Sequence, residues 1–191
     1  MAKSALRQAA VARVLLRLPA DLHRTLTRAA EAGGLSFNEY CVRRLRAPAH
    51  PDDTSPVRSL VVDRARSSFG DRLRGVVAMG SWARGDAAAD SDIDALIVID
   101  AEVPLTRDLY RAWDEVPLTF EGRTIDAHFV HAPAPDAPIT AVWCEAAVDG
   151  LMWYDADGGL TSRLADVRRA IAAGRVVRGS AHGQPYWKGA A

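Results

Sequence analysis

Cysteine is scarce in this 191-residue chain: Cys41 and Cys144 stand alone, far apart, each in an apolar or helical context. Two such thiols exclude a disulfide framework and read as buried free cysteines, which fits a reducing compartment. Long apolar runs are also lacking. No stretch has the length needed to cross a bilayer, and the N-terminal region, with Lys3 and Arg7, has no unbroken apolar core of signal length. A soluble, cytoplasmic protein with no membrane partner is expected. Net charge is missing as well, since Lys+Arg 24 balances Asp+Glu 24. That balance hides a division. Residues 1–47 hold nine basic and three acidic residues, a surplus of +6, and the remainder holds 15 and 21, a net −6. Opposite signs in two segments point to two modules with different partners.

What the chain does have is concentrated at residues 80–100. Gly80-Ser81 follows an apolar run, and Asp92-Ile93-Asp94 precedes another, Ala95-Leu96-Ile97-Val98-Ile99. In a strand, alternation would bring Asp92 and Asp94 out on one face with Ile93 on the other. Adjacent carboxylates repel unless a cation joins them, and paired hard oxygens suit a divalent ion such as magnesium, which fills the rest of its shell with water and phosphate. Gly80, Ser81, Arg84, Gly85, Ser91, Asp92 and Asp94, with an apolar strand on either side, resemble the signature of the polymerase-beta-type nucleotidyltransferases. Trp82 stands where that family commonly has a basic or other polar residue.

The segment before this motif is built differently. Residues 13–18 alternate, with Val14, Leu16 and Leu18 on one face and Arg13, Leu15 and Arg17 on the other, so a short strand ending at Pro19 is predicted. A helix is predicted from about Ala20, with Leu22, Leu26, Ala29 and Ala30 inward and a stop at Gly33-Gly34. Ser36-Phe37-Asn38-Glu39 then reads as a capping box opening a second helix with Tyr40, Cys41 and Leu45 on one side, ended by Pro48. Over residues 13–46 this resembles the ribbon-helix-helix DNA-binding family, its antitoxin-like members in particular. A lone strand and two short helices bury little by themselves, so a homodimer with a two-stranded ribbon is expected. The resemblance implies that Arg13, Leu15 and Arg17 face base edges of operator DNA, although Leu15 replaces the usual polar residue, and that backbone near Ser36 and Asn38 holds a phosphate. A dimerisation handle without DNA binding is the competing reading.

The predicted division is therefore 1–47 as the ribbon-helix-helix module, 48–56 as a Pro-rich linker and 57–191 as the transferase domain. Within the last, the pattern gives a helix over about 57–69, a strand at 73–79, a second at 94–99, a helix over 105–113 with Leu109 and Trp113 buried, and a strand at 123–130 with Asp126 and His128 on one face. Helices follow over 139–149 and 160–173, with Leu164, Val167, Ala170 and Ile171 inward. The basic tail at 175–188, with Tyr186 and Trp187, suits either contact with a nucleotide base or acidic partner, or packing across the domain. The fold class is α+β, a mixed sheet flanked by helices and preceded by the small module.

In the resembled transferase family a third strand supplies a third carboxylate, and the resemblance gives that role to Asp126. It implies two magnesium ions on Asp92, Asp94 and Asp126, ATP as donor, phosphates held at Gly80 and Ser81 with Arg84 adding charge, and Asp126 helping to activate an acceptor hydroxyl. His128 reads as a structural histidine or as a neighbour of the site. The fused module favours the DNA-binding antitoxin of a toxin–antitoxin pair that modifies a small helical partner. A transferase acting on tRNA or an aminoglycoside-like molecule, and a non-catalytic repressor, are the alternatives.

Overall fold

The computed structural model describes residues 15–46, 55–134, 137–181 and 184–189. Arg13 and residues 48–54 of the expected linker, Pro48 among them, lie outside these. Apolar spacing makes α3, Pro56–Phe69, an amphipathic helix: Pro56 sits in its first turn, where an amide has no helical partner, and Val57, Val61, Val62 and Ala65 are buried. A 3-10 turn at Gly70–Arg72 leads into β1, Leu73–Met79, which opens directly into the short helix α4, Gly80–Arg84.

β2, Ile93–Ile99, is buried on both faces, as a central strand must be. It runs antiparallel to β1 and parallel to β4, Arg123–His131. The parallel pairing needs a crossover, supplied by α5, Arg107–Asp114, whose first turn is capped by Thr106 Oγ1 accepting from the Leu109 amide at 3.3 Å. β3, Thr119–Phe120, and β5, Leu151–Asp155, are the outer strands, giving the order β3-β4-β2-β1-β5 in a mixed sheet. The α+β expectation is met by this sheet and its helices.

Alternation along the strands divides the core in two. Val76, Ala78, Ile93, Ala95, Ile97, Ile99, Ile125, Ala127 and Phe129 pack with α3 and Trp113 on one face. Val77, Leu96 and Val98 pack on the other with Trp143, Cys144 and Val148 of α6, Ala141–Asp149, and with Leu164, Val167 and Ile171 of α7, Gly159–Ala172. Cys144 has no exposed surface, and burial, then the neighbouring Glu145 charge, pushes its thiol pKa up to about 11. In the folded protein Cys144 is therefore expected to resist a thiol reagent that modifies the partly exposed Cys41. Peptide mass mapping checks this: equal labelling of the two without denaturant would contradict the burial.

The N-terminal helices are α1, Ala20–Ala32, and α2, Phe37–Arg46. Gly34, at φ 67°, makes the turn between them, and Ser36 Oγ accepts from the Glu39 amide at 3.1 Å, one half of the expected capping box. Ala29, Ala30 and Tyr40 enter the same core as α6 and α7. Part of the apolar surface that the sequence assigned to a second copy is thus covered within the chain. Leu22 departs from the expectation and is 41 % exposed, because α1 turns its Leu26, Ala29 and Ala30 side to α7. Residues 15–19 form no strand ladder among the described residues, since a single chain offers them no partner strand. Leu15 and Leu16 are exposed, and with Phe37 and Val42 they border an apolar groove of about 1040 Å³ that none of Asp92, Asp94 and Asp126 lines.

The C-terminal tail is a hairpin, β6, Val176–Ala181, and β7, Gln184–Gly189. Trp187 packs against the α6 and α7 core, so of the two readings of the tail the structure bears out packing across the domain. No helix among the described residues is long and apolar enough to cross a membrane.

Candidate active site

Two strand registers build the site. Met79 of β1 pairs with Asp94 of β2, which sets the Asp94 carboxylate over the residue that follows, Gly80. Gly80 has φ 70°, and a Cβ there would stand 1.9 Å from Asp94 Oδ2. Only glycine allows both the left-handed backbone and this approach. On the other side, the parallel register sets Asp94 opposite Asp126. Alternation along β4 then brings His128 to the same face, the one that α6 and α7 cover elsewhere.

His128 Nε2 lies 3.5 Å from Asp126 Oδ2 and 3.7 Å from Asp94 Oδ1, distances of ion pairs rather than hydrogen bonds. One donor atom from each of Asp94, Asp126 and His128 falls within a 4.8 Å group. The Asp94 carboxylate raises the imidazole pKa above its usual value, partial burial opposes the rise, and the Asp126 charge adds to it. In the metal-free protein the imidazolium therefore contributes stability fully below its unfolded pKa of about 6.5, and this is lost as pH rises through the higher folded value. His128 is a neighbour of the site rather than a structural histidine buried elsewhere. Two carboxylates converging beside a glycine turn fit a divalent cation, and the imidazole adds a nitrogen donor.

Asp92 is exposed and precedes β2 by one residue, outside the 4.8 Å group. Asp92 thus stands just before the strand that carries Asp94. The loop carrying Asp92 is fixed by a residue that sequence reading passed over. Arg123 Nη1 donates to the carbonyls of Ala88 and Ser91, each at 2.7 Å, and Ser91 Oγ accepts from the Ala88 amide at 3.0 Å. Arg123→Ala is expected to lower stability by about 1.5–3 kcal/mol, the range for hydrogen bonds to a charged group. It should also speed amide exchange over residues 86–92. Unchanged exchange there would show that Arg123 does not hold the loop.

Ser81 is half-buried in the first turn of α4, and Arg84 ends that helix with Nε 3.2 Å from Asp86 Oδ2. Trp82 turns away from the cleft: its ring meets Trp153 edge-on at 5.7 Å and packs against the α3-side core. The departure at this position is thus a buttress under α4. Arg84, Gly80 and Asp94 line a cleft of about 480 Å³ together with Met79, Asp86, Glu145 and Arg178. Glu145 and Arg178 carry no motif in the sequence and come from α6 and β6.

Of the predicted DNA-contact residues, Leu15, Arg17, Ser36 and Asn38 are described, and none of them lines this cleft. Leu15 and Arg17 are exposed ahead of α1, and Ser36 and Asn38 lie at the start of α2, with Asn38 on the wall of the apolar groove.

Residues 59–145 match the family described as "Nucleotidyltransferase domain". The matched span is a little under half the chain and holds Gly80, Ser81, Arg84, Asp92, Asp94 and Asp126; α1, α2, α7 and the β6–β7 hairpin fall outside it. No curated protein matches the chain. A solved structure described as "Crystal structure of the toxin-antitoxin with AMP-PNP" overlays with a TM-score of 0.39 and 14% identity, over 58% of this chain and 82% of that one. The domain match supports a nucleotidyltransferase enzyme.

Proposed function

We propose that this nucleotidyltransferase transfers AMP from ATP to an acceptor hydroxyl, and that it does so as the DNA-binding antitoxin of a toxin–antitoxin pair, in the cytoplasm. The observation that carries the transfer chemistry is the pairing of Asp94 with Asp126 across β2 and β4, beside a glycine turn pressed against Asp94. Asp94 and Asp126, with Asp92 from the loop held by Arg123, would hold magnesium ions, two in the full arrangement. Bound magnesium would neutralise charge on the triphosphate and on the attacking and leaving oxygens.

The chain's own groups do the rest. The amides of Gly80 and Ser81 and the Ser81 hydroxyl donate to the phosphates, and Arg84 offers a further cation. Asp126 accepts the proton of the acceptor hydroxyl. The acceptor oxygen then forms a bond to the α-phosphorus while the bond from that phosphorus to the β-phosphate oxygen breaks, and pyrophosphate leaves. Alignment of the two oxygens for in-line attack lowers the barrier further.

The antitoxin reading rests on the ribbon-helix-helix pattern of residues 13–46, with its homodimer through the Leu15–Leu18 segment, of which Leu15 and Leu16 are exposed, and on the basic surplus of residues 1–47. A small helical protein would be the acceptor. With labelled ATP and magnesium, wild type should label a co-purified protein and Asp92→Asn should not; label on tRNA or on an aminoglycoside instead would move the acceptor to that class. Operator binding should weaken steeply with salt and further in Arg17→Ala. Indifference to both would reduce the N-terminal unit to a dimer handle.

A further inference from the structure

The cleft beside Asp94 is closed by Arg178, a residue outside the matched transferase span. Its side chain is 17% exposed. Nη2 stands 3.3 Å from Glu145 Oε1, Nη1 donates to the Gly33 carbonyl at 3.4 Å, and the guanidinium faces the Trp187 ring at 5.8 Å. The same Glu145 oxygen also accepts from Trp187 Nε1 at 2.7 Å, so it is shared between two donors. Arg178 Nε is buried with no hydrogen-bond partner.

These contacts describe a cation that is held in place but not saturated. A guanidinium presents five N–H donors in a rigid fork suited to an anion with several oxygens, and one shared carboxylate oxygen does not match that fork. Arg64 Nε is buried without a partner as well, so what distinguishes Arg178 is its place in the cleft wall beside Asp94. The position agrees with an anion. Asp94, which faces Asp126 across the parallel ladder, marks the metal end of the cleft, Arg84 lines it from α4, and Arg178 lines it from β6.

We propose that Arg178 is a substrate-binding residue for the polyphosphate of the nucleotide donor, supplied by the C-terminal hairpin, with Glu145 and Trp187 as the groups that position it. This rests on the reading of the cleft as the site for a nucleoside triphosphate. It also gives the β6–β7 hairpin a role, since without it the cleft would keep the carboxylates and lose a cation. The Gly33 carbonyl at the end of α1 makes the same arginine a bridge to the N-terminal helices.

The test uses the full chain with magnesium and compares ATP with adenosine by calorimetry, because only ATP carries the polyphosphate. Arg178→Gln is expected to weaken ATP binding roughly 10–100-fold, the range for charge-assisted hydrogen bonds to an anion, and to leave adenosine binding unchanged. Arg178→Lys, which keeps the charge without the fork, should recover part of the loss. In transfer assays Arg178→Gln should raise KM for ATP more than it lowers kcat. Equal weakening of ATP and adenosine would make Arg178 a structural residue and overturn the proposal, as would unchanged ATP binding in Arg178→Gln. Failure of the wild type to bind ATP would overturn the ATP-donor reading itself and this inference with it.

Discussion

Asp94→Asn is expected to lower nucleotide transfer by roughly 10³-fold, the scale on which several kcal/mol of charge stabilisation at a bound metal appears in a rate. The substitution is nearly isosteric and removes one charge. Asp94 is the residue on which the site converges: it pairs with Met79 beside the glycine turn, faces Asp126 across the parallel ladder, and is the principal group raising the pKa of His128. Three readouts should therefore move together. Transfer falls, magnesium affinity falls, and the His128 imidazole, followed by NMR in the metal-free protein, titrates at lower pH than in the wild type. Where His128 is neutral the melting temperature of Asp94→Asn should not drop substantially, since removing one of two neighbouring carboxylates relieves repulsion, whereas at lower pH the lost pairing with the imidazolium offsets that relief. Transfer within a few-fold of wild type would exclude Asp94 from the chemistry.

Gly80→Ala should be nearly as damaging, although it removes no functional group. At φ 70° an L-residue carries a penalty of about 1–2 kcal/mol, and the added Cβ would also fall 1.9 Å from Asp94 Oδ2. The backbone cannot easily yield because β1 is buried and paired on both sides. The Asp94 carboxylate must move instead, and displacement of a reacting group by an ångström costs on the order of 10²-fold in rate. Gly122→Ala separates the two causes. Gly122 has φ 78°, and a Cβ added there would meet nothing within 4 Å, so this variant suffers backbone strain alone. A stability loss from strain alone in Gly122→Ala, a larger one in Gly80→Ala, and transfer lost only in Gly80→Ala are the expected pattern. Equal transfer in both would mean that contact between Gly80 and Asp94 is not required.

Local periodicity made much of this fold legible. The apolar spacing of α3 and α7, the Gly33-Gly34 stop, and the alternation that puts Asp126 and His128 on one face all depend on residues within a turn or two of each other. The Gly-Ser turn and the Asp pair were legible for the same reason. Register was not. That Asp94 lies opposite Asp126 follows from parallel pairing of strands about thirty residues apart through α5, and no local pattern specifies it. Asp92 stands at the boundary of local pattern and register: it precedes β2, which begins at Ile93, and lies outside the group that Asp94 forms with Asp126 and His128.

The remaining misses are long-range contacts of polar side chains. Arg123 reaches back to the Ala88 and Ser91 carbonyls, and Arg178 meets Glu145 only because the tail folds into a hairpin against α6. In sequence each is one arginine among many. Leu22 shows the converse, an apolar residue at correct helical spacing left exposed because the partner surface lies toward Leu26, Ala29 and Ala30.

The most direct measurement follows two positions of label in ATP. With magnesium and the co-expressed partner protein, label at the α-phosphate should appear on the acceptor in wild type and not in Asp94→Asn, and label at the γ-phosphate should leave in pyrophosphate. Label from the γ-phosphate on the acceptor, or transfer that persists in Asp94→Asn, would contradict nucleotide transfer at this site.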